Sequence, residues 1–281
     1  METCKTPAEL RSHVKWLRKQ GLSIAFVPTM GYLHAGHMEL VHRAAQVADR
    51  VIVSIFVNPT QFGDPRDLET YPRDVVHDLA VLKAADVEAV FLPAAEDIYP
   101  EGSETIVETM RLATILHGEV REGHFRGVAT VVAKLFNIVQ PEYALFGEKD
   151  YQQLQVIRQM VRDLHIPLEI IGCPTVREPD GLALSSRNVR LSPEDRTAAL
   201  VLNRSLCHAE ALVARGATVE QIVAEVTAMI AAEPRATLRA VDVTEAVTLR
   251  PVSGKPNGPI AIMISAEFGG VLLIDQREAT P

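Results

Sequence analysis

The sequence predicts an α/β fold in which a parallel-sheet domain precedes a smaller α+β domain. In the first part of the chain, short apolar runs alternate with helical patterns of about 10–15 residues, which is typical of βαβ units with right-handed crossovers. The run Val51–Val57 has no polar alternation, which indicates a strand buried on both faces. After Cys173 the rhythm changes to a polar, turn-rich stretch, then helices, then β-rich segments. We therefore predict domains at residues 1–175 and 176–281, with the boundary region near 174–190.

Apolar periodicity defines the elements of the first domain. Leu10, Val14 and Leu17 share one stripe of a helix over Glu9–Gln20, and Gly21 marks its end. The same patterns predict the elements that follow, in chain order: strand Ile24–Val27, helix Gly36–Asp49, strand Val51–Val57, helix Asp74–Ala85, strand Val87–Leu92, helix Gly127–Val139, strand Tyr143–Phe146, helix Asp150–Leu164 and strand Leu168–Cys173.

The second domain is predicted to begin with one long helix. Ser192-Pro193 is a helix-start signal, and the helical pattern continues to about Arg215. The remaining predicted elements are helix Thr218–Ala231 and the strands Leu238–Val243, Ile260–Ala266 and Val271–Ile274.

Composition excludes several classes of protein. With 47% hydrophobic and 23% charged residues, the chain is neither disordered nor fibrous. Its net charge of −8 argues against coating nucleic acid or an anionic membrane, but it leaves room for a local basic pocket. Cys4, Cys173 and Cys207 are widely spaced, which favours reduced thiols in a cytoplasmic protein. No signal peptide and no run of about 18 apolar residues is present, so we expect no membrane segment.

The first candidate site is the segment Thr29–His37, between a predicted strand and a predicted helix. Such turns lie at the carboxyl edge of a parallel sheet, where α/β proteins bind ligands, and helix N-termini attract phosphate. Gly31 and Gly36 are spaced as in a P-loop, but His37 and Met38 stand where that motif requires Lys and Ser or Thr. The segment therefore predicts a phosphate site of another kind.

His34 and His37 are three residues apart, so a helical turn would place them on one face. There they could stabilise the charge that develops during phosphoryl or nucleotidyl transfer. Two further interpretations stay open: the pair could bind a metal ion, or the histidines could be incidental to a glycine turn.

Two segments offer cations for a phosphate. Lys149 follows a predicted strand, with Asp150 able to accept a ribose hydroxyl and Gln153 one helical turn further. Ser185-Ser186-Arg187 lies in the predicted domain boundary, where two hydroxyls and a guanidinium would make a phosphate clamp on a closing lid. The alternatives are a capped, solvated turn for the first segment and an ordinary polar linker for the second.

A fourth segment follows the strand Val51–Val57. Asn58 and Gln61 are neutral polar groups that could orient a hydroxyl or carboxylate, or they could belong to a simple proline turn. Asp78 is a candidate Mg²⁺ ligand or, equally, an exposed helix residue.

Together these segments resemble the pantothenate synthetase (pantoate–β-alanine ligase) family, within the HxGH nucleotidyltransferase superfamily. The resemblance covers nearly the whole chain and is much more specific than His-x-Gly-His alone. The matching segments are PTMGYLHAGHMELV (28–41), SIFVNPTQF (54–62), DLETYPRD (67–74), REGHFRGVATVVAKLFNIVQP (121–141), FGEKDYQQL (146–154) and DGLALSSRN (180–188).

The resemblance implies a Rossmann-like first domain and a C-terminal lid domain. It implies that ATP and (R)-pantoate form pantoyl adenylate and pyrophosphate, after which β-alanine attacks to give pantothenate and AMP. It further implies Mg²⁺, small-molecule partners only, and a homodimer.

The resemblance also implies roles for individual residues. Four are catalytic, with His37 as the proton donor: His34, His37, Lys149 and Arg187. Gln61 and Gln153 bind pantoate, and Asp78 binds Mg²⁺. The residues that contact ATP are Met30, Gly31, Tyr32, Leu33, His34, Ala35, Gly36, His37, Gly147, Glu148, Lys149, Asp150, Val176, Leu184, Ser185, Ser186 and Arg187.

The chain departs from its relatives at a few positions. Ser185-Ser186-Arg187 stands where the wider superfamily has a Lys-Met-Ser-Lys-Ser loop, as expected for this family. Some relatives carry paired aspartates where this chain has His77-Asp78, so we expect Asp78 alone to bind metal. Leu184 replaces a methionine of some relatives, a change that an apolar contact tolerates.

The chemistry agrees with this assignment. A carboxylate is a poor acyl donor, and adenylation gives it AMP as a leaving group. The protein must then align the carboxylate with the α-phosphorus and offset charge on pyrophosphate. Two rival hypotheses are a nucleotidylyltransferase that stops after nucleotide transfer and a nucleotide-binding module without turnover.

Overall fold

The computed structural model describes residues 1–63 and 65–281. The chain divides into two compact units. The first comprises Met1–Gly147 and Val156–Cys173, and the second comprises Glu148–Gln155 and Pro174–Pro281. The segment Glu148–Gln155, which follows a strand of the first unit in sequence, therefore belongs with the second.

The first unit is built on a six-stranded sheet in which every pair of neighbouring strands is parallel. The strand order is β1-β4-β3-β2-β5-β6. Their bounds are β1 Glu2–Cys4, β2 Ile24–Thr29, β3 Arg50–Ile55, β4 Ala89–Phe91, β5 Tyr143–Gly147 and β6 Glu169–Cys173.

The central strands explain why this sheet forms. Ala25 and Val27 on β2, and Val53 on β3, are completely buried, as the unbroken apolar runs predict for a sheet covered on both faces. Leu40 and Val41, on the helix that follows β2, pack into the same core. The α/β class and the parallel sheet are confirmed.

Helices connect these strands. The long helices agree with the predicted ones to within a few residues at each end, and the prediction missed β1 and the shortest helices. Their bounds are α1 Pro7–Lys19, α2 Ala35–Val47, α3 Pro65–Glu69, α4 Val75–Ala84, α5 Ala95–Ile98, α6 His117–Val120, α7 His124–Val139 and α8 Tyr151–Asp163.

The second unit combines helices with a three-stranded antiparallel sheet of order β7-β8-β9. One buried cluster joins the sheet to the helices, and it includes Leu206, Ile222, Ile262 and Phe268. The α+β prediction is confirmed. The bounds are α9 Pro193–Ala198, α10 Leu200–Ala214, α11 Val219–Ala231, β7 Ala236–Glu245, β8 Ile260–Phe268 and β9 Val271–Ala279.

The single long helix predicted from Ser192 to Arg215 is wrong, because the structure divides it at Ala199. At this point the bonding tightens to an i→i+3 bond from the Leu202 N–H to the Ala199 carbonyl (3.1 Å). No Gly or Pro stands at the break, so the usual breaker residues gave no warning.

The structure joins none of the three cysteines in a disulfide; Cys4 and Cys173 are buried and Cys207 is exposed. Throughout residues 1–63 and 65–281, every helix is too short or too polar to cross a bilayer.

Candidate active site

The turn between β2 and α2 begins with a buried hydroxyl. The Thr29 hydroxyl donates to the Ser54 carbonyl of β3 (2.8 Å) and accepts the Gly31 N–H (3.2 Å). Gly31 has φ +81°, and a Cβ there would lie 2.9 Å from Cγ2 of Ile55. Glycine is therefore required at position 31 both by backbone conformation and by space.

His34 and His37 cap helix α2 reciprocally. His34 is the N-cap residue, and its Nδ1 accepts the Gly36 N–H (3.1 Å). Nδ1 of His37 in turn accepts the His34 N–H (3.2 Å). The two rings lie 4.1 Å apart between centroids. We assign the neutral tautomer from these bonds: each ring carries its proton on Nε2, which is then the donor atom.

This arrangement refines the predicted helical pair. His34 has extended rather than helical backbone (φ −130°, ψ 175°), so the rings meet through a capping box and not through helical spacing alone. Both rings are half-buried, and the α2 N-terminus beside them is a favourable environment for an anion.

Asp78 lies beneath the same turn. Its side chain is buried, with Oδ2 accepting the Tyr32 N–H (2.8 Å) and Oδ1 accepting the Leu33 N–H (2.7 Å). The alternative of an exposed helix residue is therefore wrong. Within the part of the chain that the structure describes, no three His, Cys, Asp or Glu side chains come together as a metal site.

Gln61 lies in the 3₁₀ turn Pro59–Gln61 that follows β3. Asn58 is buried, and its Nδ2 donates to Oε1 of Gln61 (3.0 Å) and to the Gly127 carbonyl (3.2 Å). Nε2 of Gln61 lies 3.2 Å from Sδ of Met30. The Gln61 amide is thus oriented at its oxygen end and lies against the turn that carries the histidines.

Helix α7 supports this turn from the other side. Nδ1 of His124 lies 2.9 Å from the Gln61 carbonyl oxygen. A Cβ at Gly127 would lie 2.6 Å from the Thr60 carbonyl oxygen. Gly127 therefore lets α7 pack closely against the turn Pro59–Gln61, and any larger residue at this position would force the turn to move. The sequence pattern does not indicate this role.

In the second unit, Lys149 and Asp150 form an ion pair at 3.8 Å. Lys149 also lines a small cleft, together with Ser185, Asn188 and Asp275. The hydroxyl of the buried Tyr151 donates to Glu278 of β9 (2.8 Å). The structure thus brings Lys149 and Ser185, both predicted phosphate ligands, to one cleft within this unit.

The predicted linker after Cys173 is a β-hairpin. The Leu184 N–H donates to the Val176 carbonyl (2.9 Å), and the Glu178 N–H donates to the Leu182 carbonyl (2.8 Å). Gly181 occupies the turn with φ +96°. The Asp180-Gly181 pair is a hairpin signal that the sequence analysis did not use. Val176 and Leu184, both predicted contacts of ATP, are therefore hydrogen-bonded neighbours.

Ion pairs anchor this hairpin. Arg177 makes a two-pronged pair with the buried Asp275 of β9, at 2.7 and 2.9 Å. Asp180 pairs with Arg196 of α9 (2.6 Å), and this guanidinium lowers the pKa of the Asp180 carboxyl. Two elements of the second unit therefore hold the hairpin in place.

The segment Ser185–Arg190 follows the hairpin directly. Ser185 caps a 3₁₀ helix, Ser186–Arg190, with its Oγ accepting the Arg187 N–H (3.2 Å). Nδ2 of Asn188 donates back to the Ala183 carbonyl (3.0 Å). The predicted clamp is thus a capped turn whose backbone is tied to the hairpin.

The predicted site residues fall into two groups, each within one compact unit. The first unit holds Met30, Gly31, Tyr32, Leu33, His34, Ala35, Gly36, His37, Gln61, Asp78 and Gly147. The second unit holds Glu148, Lys149, Asp150, Gln153, Val176, Leu184, Ser185, Ser186 and Arg187.

Comparison with known proteins identifies the family. The model of the pantoate-beta-alanine ligase family matches residues 2–278. The chain belongs to this family. It is an enzyme, an AMP-forming pantoate–β-alanine ligase that condenses (R)-pantoate with β-alanine at the expense of ATP, through a pantoyl adenylate.

Relatives of this ligase match over its full length. The pantothenate synthetase of Bartonella bacilliformis is 50% identical over 98% of the chain and 99% of the relative. That of Rhizobium meliloti is 49% identical over 100% and 97%. The crystal structure of pantothenate synthetase from Thermus thermophilus has a TM-score of 0.93 at 46% identity, covering all of both chains.

A further solved structure of the family contains ligands. The pantoate-beta-alanine ligase of Francisella tularensis, complexed with beta-gamma ATP and beta-alanine, has a TM-score of 0.80 at 37% identity, covering 99% of this chain and 97% of that one. This relative has the same fold as the present ligase, and its complex supports ATP binding by members of the family.

Proposed function

We propose that the reaction is carried out around the reciprocally capped pair His34 and His37. Because each Nδ1 accepts a backbone N–H, each Nε2–H is the donor that can meet a phosphate oxygen. The rings lie at the N-terminus of α2, where backbone N–H groups and the helix dipole favour negative charge. This geometry is the observation that carries the proposal.

The first step requires little covalent chemistry from the protein. The pantoate carboxylate attacks the α-phosphorus of ATP, the bond to the bridging oxygen breaks, and pyrophosphate departs with the electron pair. Positioning and electrostatic stabilisation account for most catalysis of such transfers. We assign His34 and His37 to the charge on the phosphates, with each neutral ring donating a hydrogen bond from its Nε2–H. The proton transfer from His37 that the resemblance implies would require the protonated ring.

Gln61 and Gln153 are assigned to pantoate. The Asn58 amide fixes the orientation of the Gln61 amide, so that the Gln61 NH₂ group points towards Met30. A donor that is oriented before substrate arrives loses little entropy on binding. Gln153 lies near the start of α8 and is half-buried, so its side chain is partly accessible to a ligand.

The second group of residues is assigned to the ATP phosphates and to closure. Lys149 and Arg187 supply cations, Ser185 and Ser186 supply hydroxyls, and Val176 contacts the adenine. Lys149 and Ser185 lie near one another at a small cleft, which supports their assignment to one phosphate group, although the cleft of about 10 Å³ is too small to hold that group itself. We further propose that residues 176–281 act as the lid domain that excludes water while β-alanine attacks the adenylate.

Mg²⁺ is proposed to accompany ATP. It prefers oxygen ligands in octahedral geometry and commonly binds through phosphates, waters and one or two carboxylates. The predicted ligand Asp78 is only 1% exposed, and each of its oxygens accepts a backbone N–H. The waters and phosphate oxygens of a Mg²⁺ site would have little room beside it, which does not fit a metal site built on this residue. We therefore assign no step to a metal bound at Asp78.

Two further expectations accompany the proposal. We propose that the protein is a homodimer, which the family resemblance supports. We also propose that it is located in the cytoplasm, which its three free and widely spaced cysteines support. Analytical ultracentrifugation of the purified protein would test the homodimer. A sedimenting species with the mass of a single chain at the assay concentration would contradict it.

Pyrophosphate exchange tests the proposed two-step route. With ATP and pantoate alone, labelled pyrophosphate should enter ATP, because formation of the adenylate is reversible. Adding β-alanine should release AMP and pantothenate. The matched control omits pantoate. Exchange that persists without pantoate would indicate that AMP is transferred to the protein itself. No exchange with pantoate present would indicate a nucleotidylyltransferase for another acceptor or a binding module without turnover.

A further inference from the structure

Asp78 is the buried carboxylate beneath the phosphate-binding turn, with 1% of its surface exposed. We propose that Asp78 is a positioning residue, whose two oxygens hold the Tyr32 and Leu33 N–H groups and so fix the approach to helix α2. It acts through the turn backbone and not through a bound metal. This inference rests on the proposed placing of ATP at this turn.

The bonding pattern supports this role. One oxygen accepts the Tyr32 N–H at 2.8 Å and the other accepts the Leu33 N–H at 2.7 Å. A buried carboxylate needs such donors, and hydrogen bonds to a charged acceptor are stronger than neutral ones. The two consecutive peptide N–H groups thus have a single, strong, shared acceptor that comes from 46 residues further along the chain.

The backbone of the turn requires such support. Gly31 has φ +81° and Tyr32 has φ +53°, so two consecutive residues lie in the left-handed region. A side chain such as that of Tyr32 is disfavoured there, and the surrounding structure must hold it. The Asp78 bonds act on Tyr32 and on the next residue, immediately before His34 caps the helix.

The fit between carboxylate and turn is close. A Cβ at Gly31 would lie 3.0 Å from Oδ2 of Asp78. The carboxylate therefore packs directly against the turn backbone. A change at Asp78 should move residues 31–33 and, through them, the caps that orient His34 and His37.

Amide hydrogen exchange on the substrate-free protein in EDTA tests the contact itself. In the wild-type protein the Tyr32 and Leu33 amides should be protected, and Asp78→Asn should speed exchange of at least one by about tenfold or more, because the new NH₂ group cannot accept an N–H. Asp74→Asn is the matched control: Asp74 is exposed on the same segment and caps His77. It should leave both amides unchanged.

Steady-state kinetics separate positioning from metal binding. Asp78→Asn should lower kcat/KM for ATP by about 100-fold, as small displacements of catalytic groups do, while the Mg²⁺ concentration for half-maximal rate stays unchanged. A metal ligand would instead give a raised Mg²⁺ requirement and recovery of the rate at high Mg²⁺. That result would overturn the proposal, as would unprotected Tyr32 and Leu33 amides in the wild-type protein.

Two further outcomes are informative. If Asp78→Asn does not fold, Asp78→Ser provides a second variant, and exchange in the wild-type protein still decides whether the amides are held. If Asp78→Asn frees the amides but leaves ATP kinetics normal, positioning of the turn stands. The proposed placing of ATP at the turn is then wrong.

Discussion

The turn between β2 and α2 and the hairpin Val176–Leu184 are both assigned to ATP, yet they are held in different ways. Buried side chains hold individual peptide groups of the turn: Thr29 holds Gly31, and Asp78 holds two consecutive N–H groups. The hairpin forms its own backbone bonds and is anchored by side-chain ion pairs such as Arg177–Asp275.

This difference means that the turn is positioned atom by atom, whereas the hairpin is positioned as a whole. Directed hydrogen bonds to backbone groups fix the atoms of the turn, as a site that must align reacting groups requires. Ion pairs fix the hairpin as a body, one at Arg177 in its first arm and one at Asp180 in its turn. We therefore expect changes in the turn to affect rate and changes at the hairpin anchor to affect stability.

The largest expected effect is on the hairpin anchor. Arg177→Ala leaves the Asp275 carboxylate buried without its cation, because that side chain is only 2% exposed. Loss of one partner of a buried pair costs about 3 kcal/mol or more of unfolding free energy. Urea denaturation would measure it.

The exposed pair Arg239–Glu267 in the same unit provides the control. These side chains are 54% and 31% exposed. Arg239→Ala should therefore cost less than about 1 kcal/mol. Equal losses for the two variants would remove the distinction between an anchored hairpin and an ordinary surface loop.

The next effect is on the turn. His37→Ala removes a proposed donor to the phosphates, and kcat should fall about 100-fold, or about 2.7 kcal/mol in activation free energy. His37→Glu should restore the cap on the His34 N–H, since Glu is a normal partner in a capping box, without restoring the rate, because a carboxylate has no N–H to donate to a phosphate.

His42→Ala, an exposed histidine on the same helix, should leave the rate unchanged. Steady-state assays with thermal melts of all three variants separate capping from catalysis. A fully active His37→Glu enzyme would mean that His37 acts only as a cap.

A smaller effect is expected where α7 approaches the Gln61 turn. Gly127→Ala would place a Cβ 2.6 Å from the Thr60 carbonyl oxygen, so the turn must move. We expect the KM for pantoate to rise about tenfold, or about 1.4 kcal/mol, with a modest loss of stability.

Gly63→Ala is the matched control, because an added Cβ there meets no atom within 4 Å among the described residues. An unchanged pantoate KM in Gly127→Ala would show that the position of Gln61 does not control pantoate binding.

The smallest effect concerns the thiols of the two units. Burial, helped by Glu2 and Glu9, raises the pKa of the Cys4 thiol to about 11, so at about pH 8 it stays protonated. The thiolate is the reactive form, and Cys173 is only 1% exposed. A thiol reagent at this pH should therefore modify Cys207 rapidly and the other two slowly.

Unfolding in denaturant should make all three thiols react at similar rates. Rapid modification of two or three thiols in the native protein would show that the first unit opens on the time scale of labelling, contrary to a rigidly held sheet.

Much of the fold follows from local patterns. The unbroken apolar runs of β2 and β3 could pack only in a covered sheet, and their burial is as predicted. The break at Ala199 could not be predicted, because the local bonding changes there without a breaker residue. The hairpin after Cys173 had a signal in Asp180-Gly181, which a linker interpretation concealed.

The candidate site divides in the same manner. His34 and His37 could be predicted from their three-residue spacing and from their position after a strand. Asp78 gives no local sign of its role, because its hydrogen-bond partners lie 45 and 46 residues away. Arg177 and Asp275 are 98 residues apart and lie outside every recognisable motif.

The sequence by itself determined the α/β class, the strand ends at which polar residues gather, and the family, because these depend on periodicity and on residues adjacent in the chain. Only the tertiary structure decided which acceptor holds which N–H group and which ion pair anchors the hairpin. Those pairings join residues that are distant in the chain and meet only when strands and helices pack. The pattern of neighbouring residues therefore cannot predict them.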